Sequence, residues 1–163
     1  MVTLDTLREQ GSVVVLRAPV SGRVAAIGDV PDPVFSAGML GAGCAVWPDE
    51  DVAYAPAAGT VSAAMPHAFG IAADDGVELL VHVGIDTVEM RGEGFELLVS
   101  QGDHVEAGQP LVRFDRERVA AAGHPDCVVL AVTNSADMTC VDLLVEPGEE
   151  VFAGDEFVKC MLG

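Results

Sequence analysis

The sequence predicts an all-β fold, an antiparallel β-sandwich or barrel with an internally duplicated motif and at most short helical turns. Valine-rich runs alternate with clusters of Gly, Pro and Asp, which is typical of strands and tight turns; such runs occupy residues 13–16, 77–83, 128–132 and 141–145. Helical periodicity is weak. It predicts only a helical turn or two at 115–122 and a short turn at 135–137.

Two pairs of similar segments indicate the duplication. Ala-Pro-Val-Ser-Gly-Arg-Val at 18–24 returns as Ala-Pro-Ala-Ala-Gly-Thr-Val at 55–61. Gly-Asp-His-Val-Glu-Ala-Gly at 102–108 returns as Gly-Glu-Glu-Val-Phe-Ala-Gly at 148–154. Repeats this short also arise from common turn chemistry, but two pairs in the same order favour a duplicated β-unit.

Length and composition indicate one globular domain. The chain has 163 residues, of which 50% are hydrophobic, and this composition argues against disorder. We place a single β-sandwich domain at 18–163 and expect a mobile N-terminal segment at 1–17. The lack of a linker to a second domain favours a free-standing subunit.

The charge and the start of the chain exclude several classes of partner. With 26 acidic and 8 basic residues the formal charge is −18, which argues against non-specific binding to nucleic acid or to an anionic membrane surface and favours a basic protein partner. The start of the chain lacks the pattern of a signal peptide, and no apolar run approaches the roughly 18 residues of a membrane span. We therefore expect a cytoplasmic protein with no integral membrane segment.

Four cysteines are spread along the chain without any Cys-x-x-Cys pair: Cys44, Cys127, Cys140 and Cys160. This spacing indicates neither a zinc knuckle nor a thioredoxin-like motif. Reduced, mostly buried thiols are expected.

The stretch 67–88 is the strongest candidate for a functional site. Two apolar runs flank Asp74-Asp75-Gly76, so they predict a hairpin, with His67 at the start of one run and His82 in the other. A loop with an even number of residues places His67 directly opposite His82 on one face of the sheet. A three-residue loop places His82 opposite Ala68 and sends the two imidazoles to opposite faces.

Two facing histidines permit three interpretations. A neutral imidazole nitrogen can carry a phosphoryl group while the second ring hydrogen-bonds the phosphoryl oxygens. The same pair can supply two ligands to zinc, as in a zinc-dependent hydrolase or a zinc-binding β-domain. Both rings can also be ordinary core residues in a structural or regulatory binding module.

Residues elsewhere weaken two rival functions. Gly-x-x-Val-x-x-Gly turns are usual in carrier domains that attach a cofactor to lysine, but Lys159 is the only lysine and lies in the last predicted strand. A zinc peptidase usually needs a His-x-His pair, which is absent. His104 and His124 remain, and both are expected to be exposed loop histidines.

An ordered series of motifs covers the chain from about Ala18 to Val158. The motifs are Ala-Pro-Val-Ser-Gly-Arg-Val at 18–24, Val-Pro-Asp-Pro-Val-Phe at 30–35, Gly-x-Gly-x-Ala-Val-x-Pro at 41–48, His-Ala-Phe-Gly-Ile at 67–71, Val-Glu-Leu-Leu-Val-His-Val-Gly-Ile-Asp-Thr-Val at 77–88, Gly-Glu-Gly-Phe at 92–95 and Val-Thr-Asn at 132–134. In these motifs the chain resembles the glucose-family enzyme IIA of the bacterial sugar phosphotransferase system.

The resemblance implies a β-sandwich phosphocarrier that needs no metal or cofactor. By motif, His82 is the phosphoryl acceptor from the carrier protein HPr and passes the group to a cysteine of a sugar-specific IIB domain, of glucose or N-acetylglucosamine type. His67 stabilises the phosphoryl group, and both rings share one face, which selects the even register. The carbonyl of Gly84 would accept the Nδ1 proton of His82, with Asp86 and Thr87 as further support.

An apolar rim around the histidines would suit docking and would protect phosphohistidine from water. The candidates for this rim are Val34, Phe35, Leu40, Phe69, Ile71 and Leu80. One departure from the family is Met65, which stands where a threonine often orients the first histidine, so another group must orient His67. The phosphocarrier is the preferred interpretation and the zinc protein is the alternative.

Overall fold

A computed structural model describes residues 13–162 of the chain. In chain order its strands are β1 Val13–Arg17, β2 Gly22–Ala26, β3 Ala42–Pro48, β4 Val52–Tyr54, β5 Gly59–Met65, β6 Ala68–Ala73, β7 Glu78–Val83, β8 Phe95–Leu97, β9 His104–Val105, β10 Pro110–Phe114, β11 Val128–Val132, β12 Met138–Leu143, β13 Glu150–Val151 and β14 Glu156–Leu162. The helices are α1 Pro33–Ser36 and α2 Arg116–Ala121, with single 3-10 turns at Ile27–Asp29, Thr87–Met90 and Ser135–Asp137.

The strands form three antiparallel sheets. The large sheet has eight strands in the order β13-β2-β3-β11-β7-β6-β5-β9, and two three-stranded sheets have the orders β1-β14-β12 and β4-β10-β8. This architecture confirms the predicted all-β class. No helix within residues 13–162 has the length and apolar character needed to cross a membrane.

The predicted helical turns are confirmed, and one helix is additional. Helix α2 lies inside the predicted 115–122 turn, and the Asp115 side chain caps it by accepting from the N–H groups of Glu117 and Arg118. The Ser135–Asp137 turn is also present. Helix α1 was not predicted, although Asp32 as the cap and Pro33 at the first position are a recognised start signal.

The expected N-terminal segment falls mostly outside the described residues. Residues 1–12 are not described, so the mobility expected there stays a prediction. Residues 13–17 form β1, which pairs with β14, so the paired part of the fold includes these five residues before the expected domain start at 18.

The duplicated segments occupy equivalent positions at the two edges of the large sheet. Strand β13 pairs with β2 at one edge, and β9 pairs with β5 at the other edge in the same register. The Val24 N–H donates to the Glu149 carbonyl, and at the equivalent position the Val61 N–H donates to the Asp103 carbonyl, each at 2.8 Å. Both repeat pairs therefore build the same supersecondary unit, as the sequence predicts.

The core is divided into two parts by the large sheet. The main part fills the space between the large sheet and the small sheets and includes Leu16, Phe69, Leu111 and Phe157. A smaller part lies on the other face of the large sheet and consists of Val30, Phe35, Ala45, Ile85, Cys127 and Val129. Strand β11 is buried along its whole length because it contributes to both parts.

The approach of β3 to β11 predicts a strict requirement for glycine at position 43. A Cβ there would lie 1.9 Å from the Leu130 carbonyl oxygen. We expect Gly43→Ala to lower the free energy of unfolding by about 3 kcal/mol or more, since the backbone of β11 must shift. Urea unfolding followed by the fluorescence of Trp47, the single tryptophan, measures this loss.

The matched control is Gly28→Ala. Gly28 has no atom within 4 Å of a built Cβ, so the free energy of unfolding should change by less than about 0.5 kcal/mol. Equal losses in the two variants would contradict the packing explanation.

Candidate functional site

The β6–β7 hairpin sets the position of His82, and its register differs from the expected one. Ala73 N–H donates to the Val77 carbonyl at 2.9 Å, and this pair closes the loop Asp74-Asp75-Gly76, in which Gly76 has a left-handed conformation (φ +96°). Ala68 lies opposite His82. The even register that the resemblance selected, with His67 opposite His82, is therefore wrong, and the loop has three residues.

The two imidazoles nevertheless lie side by side. His67 is in the turn between β5 and β6, and Val83 N–H donates to its carbonyl at 2.7 Å. The ring centroids of His67 and His82 are 5.2 Å apart, and the ring planes are inclined by 76°. For a three-residue loop the two imidazoles were expected on opposite faces of the sheet, because side chains alternate along a strand. His67 lies in a turn, so this alternation does not apply to it.

A short hydrogen bond fixes the tautomer of His82. Its Nδ1 lies 2.7 Å from the Gly84 carbonyl oxygen. Because a carbonyl only accepts, Nδ1 carries the proton in this contact, and Nε2 of the neutral ring has a free lone pair. The arrangement matches the expectation for Gly84.

The Gly84 carbonyl is itself held firmly. Gly84 N–H donates to the Cys127 carbonyl at 2.8 Å, and the Thr87 hydroxyl donates to the Val83 carbonyl at 2.6 Å. Thr87 is only 1% exposed. Gly84 has φ +76°, and a Cβ on it would lie 2.4 Å from Cγ2 of Thr87, so this turn requires glycine. Thr87 therefore anchors the turn that carries the Gly84 carbonyl.

Phe35 forms an apolar wall beside His82. The ring centroids are 5.1 Å apart with the planes inclined by 64°. Phe35 belongs to the smaller core and is carried by helix α1, which is capped by Asp32. The wall keeps water from one side of the His82 ring.

Burial and nearby charges act on His82 in opposite directions. Burial lowers the pKa of His82, and the pKa falls further because of His67, whereas the hydrogen bond to Gly84 and the charges of Asp32 and Asp86 raise it; burial has the largest effect. The pKa of His67 is also lowered by burial. Both rings are therefore neutral at pH 7, and neutrality is the state in which Nε2 can act as a nucleophile.

Asp32 was not recognised from the sequence as a site residue. It lies 50 positions before His82 in the chain, yet its charge acts on the His82 ring. The helix-start pattern Asp-Pro was the available signal. Asp86, which was expected to support the site, has a left-handed backbone (φ +59°) and an exposed side chain.

A family model for the phosphoenolpyruvate-dependent sugar phosphotransferase system, EIIA 1, matches residues 14–138. The chain belongs to this family. The glucose-specific EIIA component of Staphylococcus aureus (strain COL) is 42% identical over 135 residues, which cover 82% of this chain and 81% of that component. As an EIIA protein of the glucose type, the chain is a phosphoryl carrier and a phosphotransferase component.

Two longer relatives contain a similar segment. The raffinose carrier protein of Pediococcus pentosaceus is 40% identical over 146 residues, 88% of this chain and 23% of the carrier. The beta-glucoside-specific EIIBCA component of Bacillus subtilis (strain 168) is 41% identical over 128 residues, 77% of this chain and 21% of that component. The chain thus spans less than a quarter of each of these two proteins.

A solved structure shows the same fold in the EIIA family. The glucose permease IIA from Mycoplasma capricolum has a TM-score of 0.78 with 34% sequence identity, and the match covers 90% of this chain and 95% of that one. The zinc-hydrolase alternative gains no support from the family. Within residues 13–162, moreover, His, Cys, Asp and Glu side chains do not gather in any group of three or more suited to a metal ion.

The apolar rim of this EIIA protein differs in part from the expected set. Val34 and Leu40 are 40% and 37% exposed, as a rim requires, whereas Phe35 is the buried wall and Leu80 packs against the smaller core. Phe69 and Ile71 were wrongly assigned to the rim. Both are buried in the main core, on the opposite face of the sheet from His82.

Three further exposed apolar side chains were not assigned to the rim from the sequence. Met39 follows helix α1, Met65 is two residues before His67, and Val88 is two residues after Asp86. They lie on the same three segments that carry the site. We call these three side chains, together with Val34 and Leu40, the rim from here on.

The other two histidines lie outside the site and differ from each other. His104 is exposed and has Nε2 2.9 Å from an Asp74 carboxylate oxygen, at the far end of the hairpin from His82. His124 was expected to be an exposed loop residue, but its side chain is only 13% exposed, and its Nε2 lies 3.7 Å from Glu89.

These environments shift the pKa of His104 in the opposite direction to the pKa values of His67 and His82. The hydrogen bond to Asp74 raises the pKa of His104, whereas burial lowers the pKa values of His67 and His82. Titration by NMR should place His104 above 6.5 and the pair below 6.5. Below pH 6.5 the unfolded chain binds more protons than the folded pair, so the pair destabilises the fold increasingly as the pH falls.

The matched variant for this titration is Asp74→Asn. It should return the His104 midpoint toward the ordinary value of 6.5 and leave those of His67 and His82 unchanged. A His82 midpoint above that of His104 would contradict the assignment of burial as the main effect.

Proposed function

We propose that Nε2 of His82 accepts a phosphoryl group from phospho-HPr and passes it to a cysteine thiolate of a sugar-specific IIB domain. The observation that carries this proposal is the 2.7 Å hydrogen bond from Nδ1 of His82 to the Gly84 carbonyl. It leaves the other ring nitrogen as a free nucleophile in a fixed direction.

The transfer balances without any cofactor. The Nε2 lone pair of His82 forms a bond to phosphorus while the bond between phosphorus and the donor's histidine nitrogen breaks. The Nδ1 proton stays in place, so positive charge develops on the ring, and the Gly84 carbonyl dipole stabilises that charge. In the second half, the thiolate of IIB attacks phosphorus and the His82 ring leaves as the neutral imidazole.

His67 stabilises the phosphoryl group in this proposal. A neutral imidazole N–H, 5.2 Å from His82 between ring centroids, is placed to donate to a phosphoryl oxygen on Nε2. The His67 side chain makes no hydrogen bond to another residue of 13–162, so its donor is available for the incoming group. In this protein Met65 stands where the family often has a threonine that orients the first histidine. The hydrogen bond from Val83 N–H to the His67 carbonyl and the contact with the His82 ring hold His67 in place instead.

The rim and the carboxylates suit a basic partner that binds and leaves repeatedly. Asp32 and Asp86 lie near His82, and the chain as a whole carries a formal charge of −18. Cationic groups that neutralise the phosphoryl charge therefore have to come from the partner. Carboxylates beside the histidines attract such groups, while the exposed rim supplies apolar contact area once the partner has arrived.

We place this exchange in the cytoplasm. All four cysteines are free thiols, and burial raises the pKa of Cys44 and Cys160 to about 11 and that of Cys127 to about 12. Protonated, unpaired thiols fit a reducing compartment. Relatives about equally similar to this chain are named for glucose, raffinose and beta-glucosides, so we assign the choice of sugar to the partner components.

Substitution of each histidine should separate the two roles. After incubation with phosphoenolpyruvate, enzyme I and HPr, intact mass should show one acid-labile phosphoryl group on the wild type and none on His82→Ala. His67→Gln should accept the group but pass it to IIB at least about 100-fold more slowly, because the donor to the phosphoryl oxygens is lost. His104→Gln is the control and should behave as the wild type.

Full labelling of His82→Ala would overturn the proposed acceptor. Transfer from His67→Gln at the wild-type rate would remove His67 from the mechanism and leave the acceptor assignment intact.

The salt dependence of transfer tests the role of the carboxylates. Steering by exposed charges weakens as ionic strength rises, so the rate of transfer from phospho-HPr should fall with added salt. Asp32→Asn and Asp86→Asn should each reduce this slope and lower the rate at low salt. Asp75→Asn, at the far end of the hairpin, is the matched control and should keep the wild-type slope. A wild-type rate that is independent of salt would contradict electrostatic steering.

A further inference from the structure

A cleft separate from the histidine pair lies between the segment 89–93 and helix α2. Its volume is about 760 Å³, and its lining includes Glu89, Arg91 and Glu93 on one side and Arg118 and His124 on the other. Cavities of roughly 300–1,000 Å³ are the usual size of small-molecule sites. Neither His67 nor His82 contributes to the lining.

Basic groups are concentrated in this cleft. The whole chain has 8 Lys and Arg residues against 26 acidic ones, yet two arginines and one histidine share this lining. The guanidinium of Arg91 forms no ion pair or hydrogen bond with another residue in the described range 13–162. Arg118 has only a long, exposed contact with Asp115, at 3.8 Å. Both guanidiniums therefore have donors to spare for an anion.

The anion that fits best has several acceptor oxygens. Three donor side chains, those of Arg91, Arg118 and His124, line one cleft. A phosphate monoester offers three terminal oxygens, whereas a carboxylate offers only two, and planar guanidiniums bind phosphate in a bidentate manner.

The carboxylates in the same lining restrict the rest of the ligand. Glu89 and Glu93 repel a ligand that is anionic throughout, but they accept hydrogen bonds from hydroxyl groups. The 3.7 Å contact between Glu89 and His124 is too long for a hydrogen bond, so both groups retain capacity for a ligand.

We propose that this cleft binds a small phosphate ester with several hydroxyl groups, a sugar phosphate in its simplest form. The phosphate contacts Arg91 and Arg118, with His124 beside them, and the hydroxyl groups donate to Glu89 and Glu93. The high negative charge of the rest of the surface does not prevent this, since exposed charges more than about 8 Å away are largely screened at physiological ionic strength.

Calorimetric titration of the full, unphosphorylated chain with glucose 6-phosphate tests the proposal. Glucose and inorganic phosphate, titrated in parallel, should each bind at least about tenfold more weakly, because each lacks one of the two groups that the cleft recognises. A shift of the His124 ring signals in NMR spectra as glucose 6-phosphate is added should locate the ligand in this cleft.

Variants then test the donors. Arg91→Gln and Arg118→Gln should each weaken glucose 6-phosphate binding by about tenfold or more, since each loses a charge-assisted hydrogen bond. Arg113→Gln is the matched control, because Arg113 is also exposed, lies on β10 and does not line this cleft. Glu93→Gln should strengthen the binding of inorganic phosphate, because a repelling carboxylate is removed, and should lower the preference for glucose 6-phosphate over inorganic phosphate.

Three results would overturn the proposal. The first is that glucose 6-phosphate produces neither heat nor a shift of the His124 signals. The second is that inorganic phosphate binds as tightly as glucose 6-phosphate. The third is that Arg113→Gln weakens the binding of glucose 6-phosphate as much as Arg91→Gln does. None of these measurements involves phosphoryl transfer, so their failure would leave the carrier function intact, and a failed transfer assay would leave this site untouched.

Discussion

The hydrogen bond between Nδ1 of His82 and the Gly84 carbonyl is the interaction on which the proposed chemistry of this protein depends. It determines which nitrogen is free, and it requires a carbonyl aimed back at a ring only two residues earlier. Such a tight reversal needs a left-handed residue at 84 and an anchor for the turn. Cys127 on the neighbouring segment and the buried hydroxyl of Thr87 supply that anchor. The need to aim the Gly84 carbonyl at the His82 ring thus accounts for both the glycine at 84 and the buried threonine at 87.

The fold explains how a reactive ring can be both packed and accessible. His82 is on the face of the large sheet away from the main core, so the stability of the sandwich does not depend on covering it. A short helix and the smaller core shield one side of the His82 ring through Phe35. Burial lowers the pKa of the ring, and in the proposed function the remaining exposed side of the ring receives the phosphoryl group.

The sequence predicted those features that depend on local pattern. The apolar runs predicted the strands, the repeats predicted the equivalent sheet edges, and the resemblance to the enzyme IIA family implied the contact between His82 and Gly84. The register could not be predicted, because Asp-Asp-Gly permits loops of different length. That single error explains the wrong placement of Phe69 and Ile71, since a shift of one residue moves alternate side chains to the other face. Asp32 was missed because its effect on His82 depends on tertiary contact.

The two-residue strands β9 and β13 have a consequence for behaviour in a crowded cell. The large sheet has eight strands, and an exposed edge of full length would offer a row of unpaired backbone groups to other chains. Here the duplicated unit ends the sheet in the same way at both edges, with a strand of only two residues closed by turns. Few backbone groups remain there for the addition of a foreign strand. The fold is in this way protected from lasting edge-to-edge association with other chains.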